Sequence, residues 1–359
     1  MSFLDTIISS VKNGGTPSGV VGIDIGSSSM KVVELQEKKG VITIATYGEV
    51  QLGPYAGKAI GESVSLETKQ EQEALVDVIR ESSVSARNAV FSMPLSSSFV
   101  TNVTINADED ADLSSLVRVE ARKVIPASLS EVTLDWAEVE SNTEEEVSDK
   151  RNILIASIQN AALERFNVLM QFAGMNKPPT EIECFSTIRS VHSDDEENVA
   201  IVDIGAVSSK LYISRKGLLM RMYRIRAGGM IATENIAEEL HLSFAEAEAM
   251  KCSADKNDDR FATMKKAHDH SYDRAFREFN QVLTEYENRT GVKVSTVYLA
   301  GGGALFPGIA GHLRSVLDRE VVAADPFSKV AYPAFMEDTM RSIGPSFTVA
   351  VGAALRAFE

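Results

Sequence analysis

The chain has 359 residues, with 36 Lys+Arg against 51 Asp+Glu for a formal net charge of −15, and 44% of its residues are hydrophobic. That length and apolar content suit about two domains with proper cores and exclude a disordered chain, while the negative balance argues against binding a phosphate backbone or an anionic lipid surface. The two cysteines, Cys184 and Cys252, have no CxxC spacing, which excludes a disulfide framework or a structural zinc and fits a reducing cytoplasm. No apolar run reaches the length of a membrane span and no secretory signal pattern opens the chain, so a cytoplasmic location is expected.

Phe3, Leu4, Ile7, Ile8 and Val11 recur at helical spacing before the breaker Asn13-Gly14-Gly15-Thr16-Pro17, which predicts a short amphipathic segment on a tether. With one Lys and one Asp it has little pull towards anionic lipid, and docking on its own protein is the reading favoured over a membrane. From Gly19 the sequence GVVGIDIGSSSMKVVELQ predicts a β-hairpin. Its turn brings together the Asp24 carboxylate, Gly26, the hydroxyls of Ser27, Ser28 and Ser29, and the Lys31 ammonium. Small residues let backbone N–H groups approach an anion closely, although Gly-Ser turns also join strands that bind nothing.

Residues 90–104 read as strand, turn and strand, Leu113 to Lys123 as a helix ending before Ile125-Pro126, and Leu129 to Val139 and Arg151 to Ser157 as strands. Glu144-Glu145-Glu146 reads as a solvated hairpin tip, and Trp136 as a core residue rather than a docking anchor. Ala162 to Ala173 is a predicted helix, followed by Lys177-Pro178-Pro179, a strand over Thr180 to Glu183, a helix opening at Glu183, and the acidic loop Ser193 to Glu197.

At 199–213 the chain repeats itself. VAIVDIGAVSSKLYI shares D-I-G-x-x-S-x-K with the first hairpin, aligning Asp203, Gly205, Ala206, Ser208 and Lys210 with Asp24, Gly26, Ser27, Ser29 and Lys31. A supersecondary unit that recurs at the start of each half argues for a duplicated architecture. A helical region follows over 233–291, in which Ser243 and Glu246 have the spacing of a capping box and Glu248 and Lys251 stand one turn apart. Tyr272, Phe276, Phe279, Val282, Leu283 and Tyr286 form a helical stripe expected in a core, whereas His268 and His270 are expected on an exposed polar stretch. Near the C-terminus an apolar strand runs into Gly301, Gly302 and Gly303, expected at the start of an amphipathic helix, where a flat ligand can lie on bare backbone.

These three glycine motifs, in this order, resemble the actin-like ATPase superfamily: Asp24 to Lys31 is similar to its first phosphate loop, Asp203 to Lys210 to its second, and Gly301 to Gly303 to its adenosine loop. Within it, GIDIGSSSMKVVEL, VEARKVIPASLSEVTLDW, LSFAEAEAMK, LAGGGALFPGI and VAVGAALRAF resemble, in the same order, the PilM family of type IV pilus assembly proteins. The resemblance implies an α/β fold, the duplicated actin-like ATPase (ribonuclease H-like) fold, with two lobes around a nucleotide cleft and a small α+β subdomain of the FtsA and PilM type. The division it implies is an N-terminal segment 1–18; a first actin-like subdomain of 19–89, 152–191 and 335–359; a small inserted subdomain of 90–151; a second actin-like subdomain of 192–232 and 292–334; and a helical subdomain of 233–291.

It further implies ATP and Mg²⁺ as cofactors. The cofactor-binding residues would be Asp24, Gly26, Ser27, Ser28, Ser29, Lys31, Asp203, Gly205, Ala206 and Ser208 around the phosphates and their Mg²⁺, and Glu248, Lys251, Gly301, Gly302 and Gly303 around the nucleoside. Asp24, Glu183 and Asp203 would hold Mg²⁺ through water. No residue is identified as catalytic, and Ala206-Val207 in place of polar or glycine-rich residues leads us to expect ATP binding with weak or no hydrolysis. The implied function is an assembly scaffold of the type IV pilus or a related secretion or competence machine. Its implied partner is the cytoplasmic N-terminal segment of PilN, with other platform and motor proteins and self-association as further candidates. Contact with the inner membrane would be indirect, through those partners. The alternatives are an FtsA-like division filament protein, disfavoured by the short C-terminus Arg356 to Glu359, and a sugar or carboxylate kinase, disfavoured by the apolar character of 90–140.

Overall fold

The computed structural model describes residues 19–108, 111–139, 150–176, 180–193 and 196–359. The amphipathic segment 2–12, the acidic tip 144–146, Lys177-Pro178-Pro179 and Asp194-Asp195 lie outside the described residues.

The β-branched run after Gly19 forms β1 (Val20–Ile25) and folds back as β2 (Ser29–Lys38) and β3 (Val41–Gln51), ahead of helix α1 (Thr68–Glu81) and strand β4 (Asn88–Met93). A separate small sheet follows, built from β5 (Ser98–Asn106), β6 (Val132–Val139) and β7 (Lys150–Gln159), with α2 (Leu113–Val124) between β5 and β6 in sequence. Its order is β5-β7-β6. Val117 and Ala121 of α2 bury against Ile153 and Ile155, and Trp136 packs, partly buried, against the same cluster. The chain returns through α3 (Asn160–Phe172) and the two-residue strand β8 (Glu181–Ile182) to α4 (Glu183–Val191).

The first sheet has the order β3-β2-β1-β4-β8, in which β1, β4 and β8 run parallel. β4 therefore belongs beside β1, and β7 pairs along its length with β5 and β6. The small sheet accordingly begins at Ser98 and closes at Gln159, which moves the sequence-based limits of 90 and 151.

The second half repeats the plan. Strands β9 (Asn198–Ile204), β10 (Ser209–Arg215) and β11 (Leu218–Ile225) form an antiparallel meander. Helices α5 (Gly229–Leu240), α6 (Phe244–Cys252), α7 (Phe261–His270) and α8 (Asp273–Thr290) follow, then β12 (Thr296–Ala300), α9 (Ile309–Leu317) and β13 (Glu320–Ala323). The order β11-β10-β9-β12-β13 matches the first sheet strand for strand, with β12 and β13 parallel to β9. The aromatic stripe of α8 is buried against this sheet, and Ser243 caps α6 reciprocally with Glu246.

The triglycine does not open a helix. Gly302–Leu305 is a 3-10 turn and α9 starts only at Ile309, because Pro307 and the left-handed Gly308 (φ 98°) intervene. The closing helix α10 (Glu337–Leu355) packs on β1 and crosses α4 so closely that a Cβ at Gly352 would sit 1.8 Å from the Ser186 carbonyl oxygen. Among the described residues no helix is long and apolar enough to cross a membrane.

Candidate functional site

The two repeated hairpins share one turn geometry. The Gly26 N–H donates to the Ser29 carbonyl at 3.0 Å, and the Gly205 N–H to the Ser208 carbonyl at 3.1 Å. Asp24 stands opposite Lys31 across β1 and β2, as Asp203 does opposite Lys210 across β9 and β10. Both turns open into one cavity of about 580 Å³, whose lining also includes Glu183, Glu248, Lys251 and Gly301 to Gly303. Every site residue read from the sequence, Asp24 to Lys31 through the triglycine, thus reaches one cleft of a size that suits a small-molecule ligand.

Each lysine in the cleft has a carboxylate partner, with one asymmetry between the halves. Lys31 Nζ donates to Ser29 Oγ at 2.7 Å and pairs with Glu49 at 3.0 Å. Lys210 Nζ instead lies 2.8 Å from Glu183 and 3.1 Å from Asp203. Burial opposes the Lys210 charge, yet Asp203 and Glu183 hold it protonated well above the ordinary lysine range. Glu183 Oε1 also accepts the Leu95 N–H at 2.8 Å. The Asp24 carboxylate has no hydrogen-bond partner among the described residues. Burial pushes its pKa up to about 6, with Glu183 and Asp203 adding to the rise and Lys31 and Lys210 opposing it.

Glu248 and Lys251 meet each other at 2.7 Å, and Thr233 donates its hydroxyl to Glu248. Lys251 Nζ also donates to Thr233 Oγ1 at 2.6 Å and to the Gly229 carbonyl at 3.1 Å, which ties α6 to the start of α5. The start of α5 is in turn anchored to the second turn, since Gly229 and Met230 donate to the carbonyls of Gly205 and Ala206, each at 2.9 Å. The pair is therefore a partly buried ion pair that lines the cleft, not a solvated surface contact.

The triglycine has one open face. Gly301 adopts φ 84°, and a Cβ there would lie 2.4 Å from Asp203 Oδ1, whereas a Cβ at Gly302 would meet nothing within 4 Å. Bare backbone at Gly302 is thus presented to the cleft without being needed for packing. Next to it, His268 is 1% exposed and stacks on Phe306 at 3.6 Å between ring centres. This corrects the exposed position expected for His268, whose pKa burial lowers despite its contact with Asp269. With Tyr272 the two rings line an apolar end of the cavity that the sequence reading missed.

Sequence reasoning also missed Gly61 and Arg224. Gly61, at φ 84° between β3 and α1, approaches Glu248 so closely that a Cβ would sit 2.4 Å from its carboxyl carbon, which joins the first half to the helical region. Arg224 lies directly across from Lys210 on β11. A cross-strand partner of a motif lysine was the available signal for it.

Among the described residues no group of three or more His, Cys, Asp or Glu side chains is arranged to hold a metal directly. Asp24, Glu183 and Asp203 all line the cleft, with Lys210 standing between the last two. Such a donor set suits a hard cation that keeps its own water and leans on a ligand's oxygens, and does not suit a stripped metal in an all-protein cage.

A family model described as type IV pilus assembly protein PilM matches residues 22–358. Among solved structures the chain is similar to a PilM–PilN type IV pilus biogenesis complex, with 22% identity, 96% of this chain and 100% of that chain covered, and a TM-score of 0.79. It is also similar to the ethanolamine utilization protein EutJ from Carboxydothermus hydrogenoformans (16% identity, 98% and 94% covered, TM-score 0.55). A third likeness is to MreB5 of Spiroplasma citri bound to AMPPNP (10% identity, 94% and 95% covered, TM-score 0.52). At these identities the likenesses show the fold, the two-lobed actin-like architecture.

Proposed function

Because the chain belongs to the type IV pilus assembly protein PilM family, we propose that it is a nucleotide-binding assembly scaffold of the pilus platform, which takes Mg-ATP between its lobes and the cytoplasmic N-terminal segment of PilN on its surface. One observation carries the nucleotide half of this reading: two hairpin turns of the same hydrogen-bonded geometry face a single cavity that ends in unobstructed backbone at Gly302. The backbone N–H groups and hydroxyls of Ser27, Ser28 and Ser208 would bind phosphate oxygens, and the nucleoside would lie on Gly302 beside Phe306 and the Glu248–Lys251 pair. Asp24 and Asp203 would orient water on Mg²⁺, with Glu183 on the far side of Lys210; the ion would supply charge neutralisation for the phosphates.

Hydrolysis requires a group that orients or deprotonates water. The Glu183 and Asp203 carboxylates are engaged by Lys210, and the second turn offers only the aliphatic Ala206 and Val207 between Gly205 and Ser208. Turnover is therefore slow or absent, and ATP serves to stabilise one closure of the lobes through its differential affinity for it. The small unit 98–159 is tied to the second lobe, since Asn102 Nδ2 donates to the carbonyls of Leu219 at 2.9 Å and Met220 at 2.8 Å. Lobe closure thereby has a mechanical route to that unit, on which the PilN segment would dock. Recruitment to the inner face of the membrane runs through PilN.

Calorimetric titration of a synthetic PilN N-terminal peptide, with and without saturating Mg-ATP, tests this reading. Peptide binding whose affinity changes with ATP, and little phosphate release over hours, is the expected result. Rapid ATP turnover without peptide binding would return the protein to the enzymes of this fold.

A further inference from the structure

Both lobes carry a three-residue stripe across their hairpin sheets, and the stripes end differently. In the first lobe Asp24 faces Lys31 and Lys31 faces Glu49; in the second Asp203 faces Lys210 and Lys210 faces Arg224. Lys31 closes on its neighbour Glu49. Lys210 finds a cation at the matching position and turns to Asp203 and Glu183. Arg224 takes the hairpin hydroxyl instead, donating Nε to Ser208 Oγ at 3.2 Å.

Arg224 also stands out among the cations of the cleft. Lys31 has Glu49, Lys210 has Glu183 and Asp203, Lys251 has Glu248, and Arg165 has Glu71. Arg224 has no carboxylate partner among the described residues, and its one hydrogen-bond acceptor among them is Ser208. A guanidinium held at one N–H, with its remaining donors free of protein acceptors and lining a cavity, is prepared for a planar, two-point contact with an anion.

The strand order says which end of a ligand it meets. The glycine cluster follows β12 on one flank of β9, and Arg224 is on β11, two strands beyond β9 on the other flank. At strand spacings of about 4.8 Å, β12 and β11 are about 14 Å apart, the scale of an extended nucleoside triphosphate. A nucleoside on Gly302 with its first phosphates on the two turns directs its last phosphate towards β11. We propose that Arg224 binds the terminal phosphate of a nucleoside triphosphate and makes the cleft distinguish tri- from diphosphate. This rests on the nucleotide reading above. Arg224 is a specificity-determining residue, and its pairing with Ser208 positions it.

Calorimetry with Mg-ATP and Mg-ADP on the wild type, Arg224→Met, Arg224→Lys and Ser208→Ala tests it, with thermal melts to confirm folding. Loss of a charge-assisted contact predicts that Arg224→Met weakens ATP about tenfold or more and ADP less than about threefold, with Arg224→Lys recovering part of the difference. Ser208→Ala should blunt the ATP preference less than Arg224→Met does. Equal weakening of ATP and ADP, or an ATP affinity unchanged in both Arg224 variants, overturns the assignment while leaving a nucleotide cleft in place. Failure of the wild type to bind either nucleotide overturns both.

Discussion

Lys210 Nζ lies 2.8 Å from Glu183 Oε2, joining the second hairpin to the first turn of α4. Asp203 shares the same ammonium at 3.1 Å, so one largely buried cation stands between two cleft carboxylates. Removing one member of such a buried cluster leaves the others uncompensated. Lys210→Met should lower unfolding stability by about 3 kcal/mol, read from urea denaturation, and Lys210→Met/Glu183→Gln should recover a measurable part of it. A Lys210→Met variant as stable as the wild type would mean that the cluster is not a unit.

The triglycine separates fold from site. A Cβ at Gly302 meets open space, so Gly302→Val should melt within a few degrees of the wild type yet lose ATP affinity. Gly301→Ala, strained at φ 84° and pressed on Asp203, should lose about 1–3 kcal/mol of stability. Parallel melting and calorimetry check this, and equal ATP affinity in Gly302→Val and the wild type would take the nucleoside off that backbone.

Asp24 gives the site a pH dependence. With its pKa raised to about 6 from 3.8, the folded protein without ligand loses stability as pH rises through that interval, because ionisation there is disfavoured. A Mg-nucleotide favours the ionised carboxylate, so affinity should fall as pH drops below about 6, by up to about tenfold per unit. Asp24→Asn should show weaker binding and a flatter profile. Nucleotide protonation is common to both proteins, so the difference between their titrations isolates Asp24; identical pH profiles would exclude it from the site.

Acid sensitivity of the fold should centre elsewhere. Glu181 is fully buried against Arg189, at 2.6 Å, and near Arg356. Burial raises its pKa, but the two arginines and the Ser186 hydroxyl outweigh that and hold it below the ordinary 4.5. Its contribution is complete above 4.5 and is lost as pH falls through the lower folded value. Glu181→Gln should cost about 3 kcal/mol at pH 7 and less near pH 3, measured by denaturant titration at both. A cost independent of pH would remove Glu181 from the acid response.

The hairpins and their cleft-facing residues were legible in the sequence because D-I-G-x-x-S-x-K carries its geometry locally: alternating strands and a small-residue turn fix which side chains face one another. The limits of the small sheet were not, since β4 looks like the first arm of a hairpin with β5 and only its long-range pairing with β1 places it in the first sheet. His268 was misjudged for a related reason. Its neighbours in sequence are polar, and its burial comes from Phe306, beyond the triglycine. Arg224 lies in no glycine motif and acquires meaning only from standing across from Lys210.

The central claim is that the paired hairpins bind a nucleotide, and calorimetric titration of Mg-ATP into the wild type and Asp203→Ala tests it most directly. Stoichiometric binding to the wild type, weakened by about tenfold or more in a folded Asp203→Ala, is the predicted result. Equal binding by both proteins, or none by the wild type, would contradict the account.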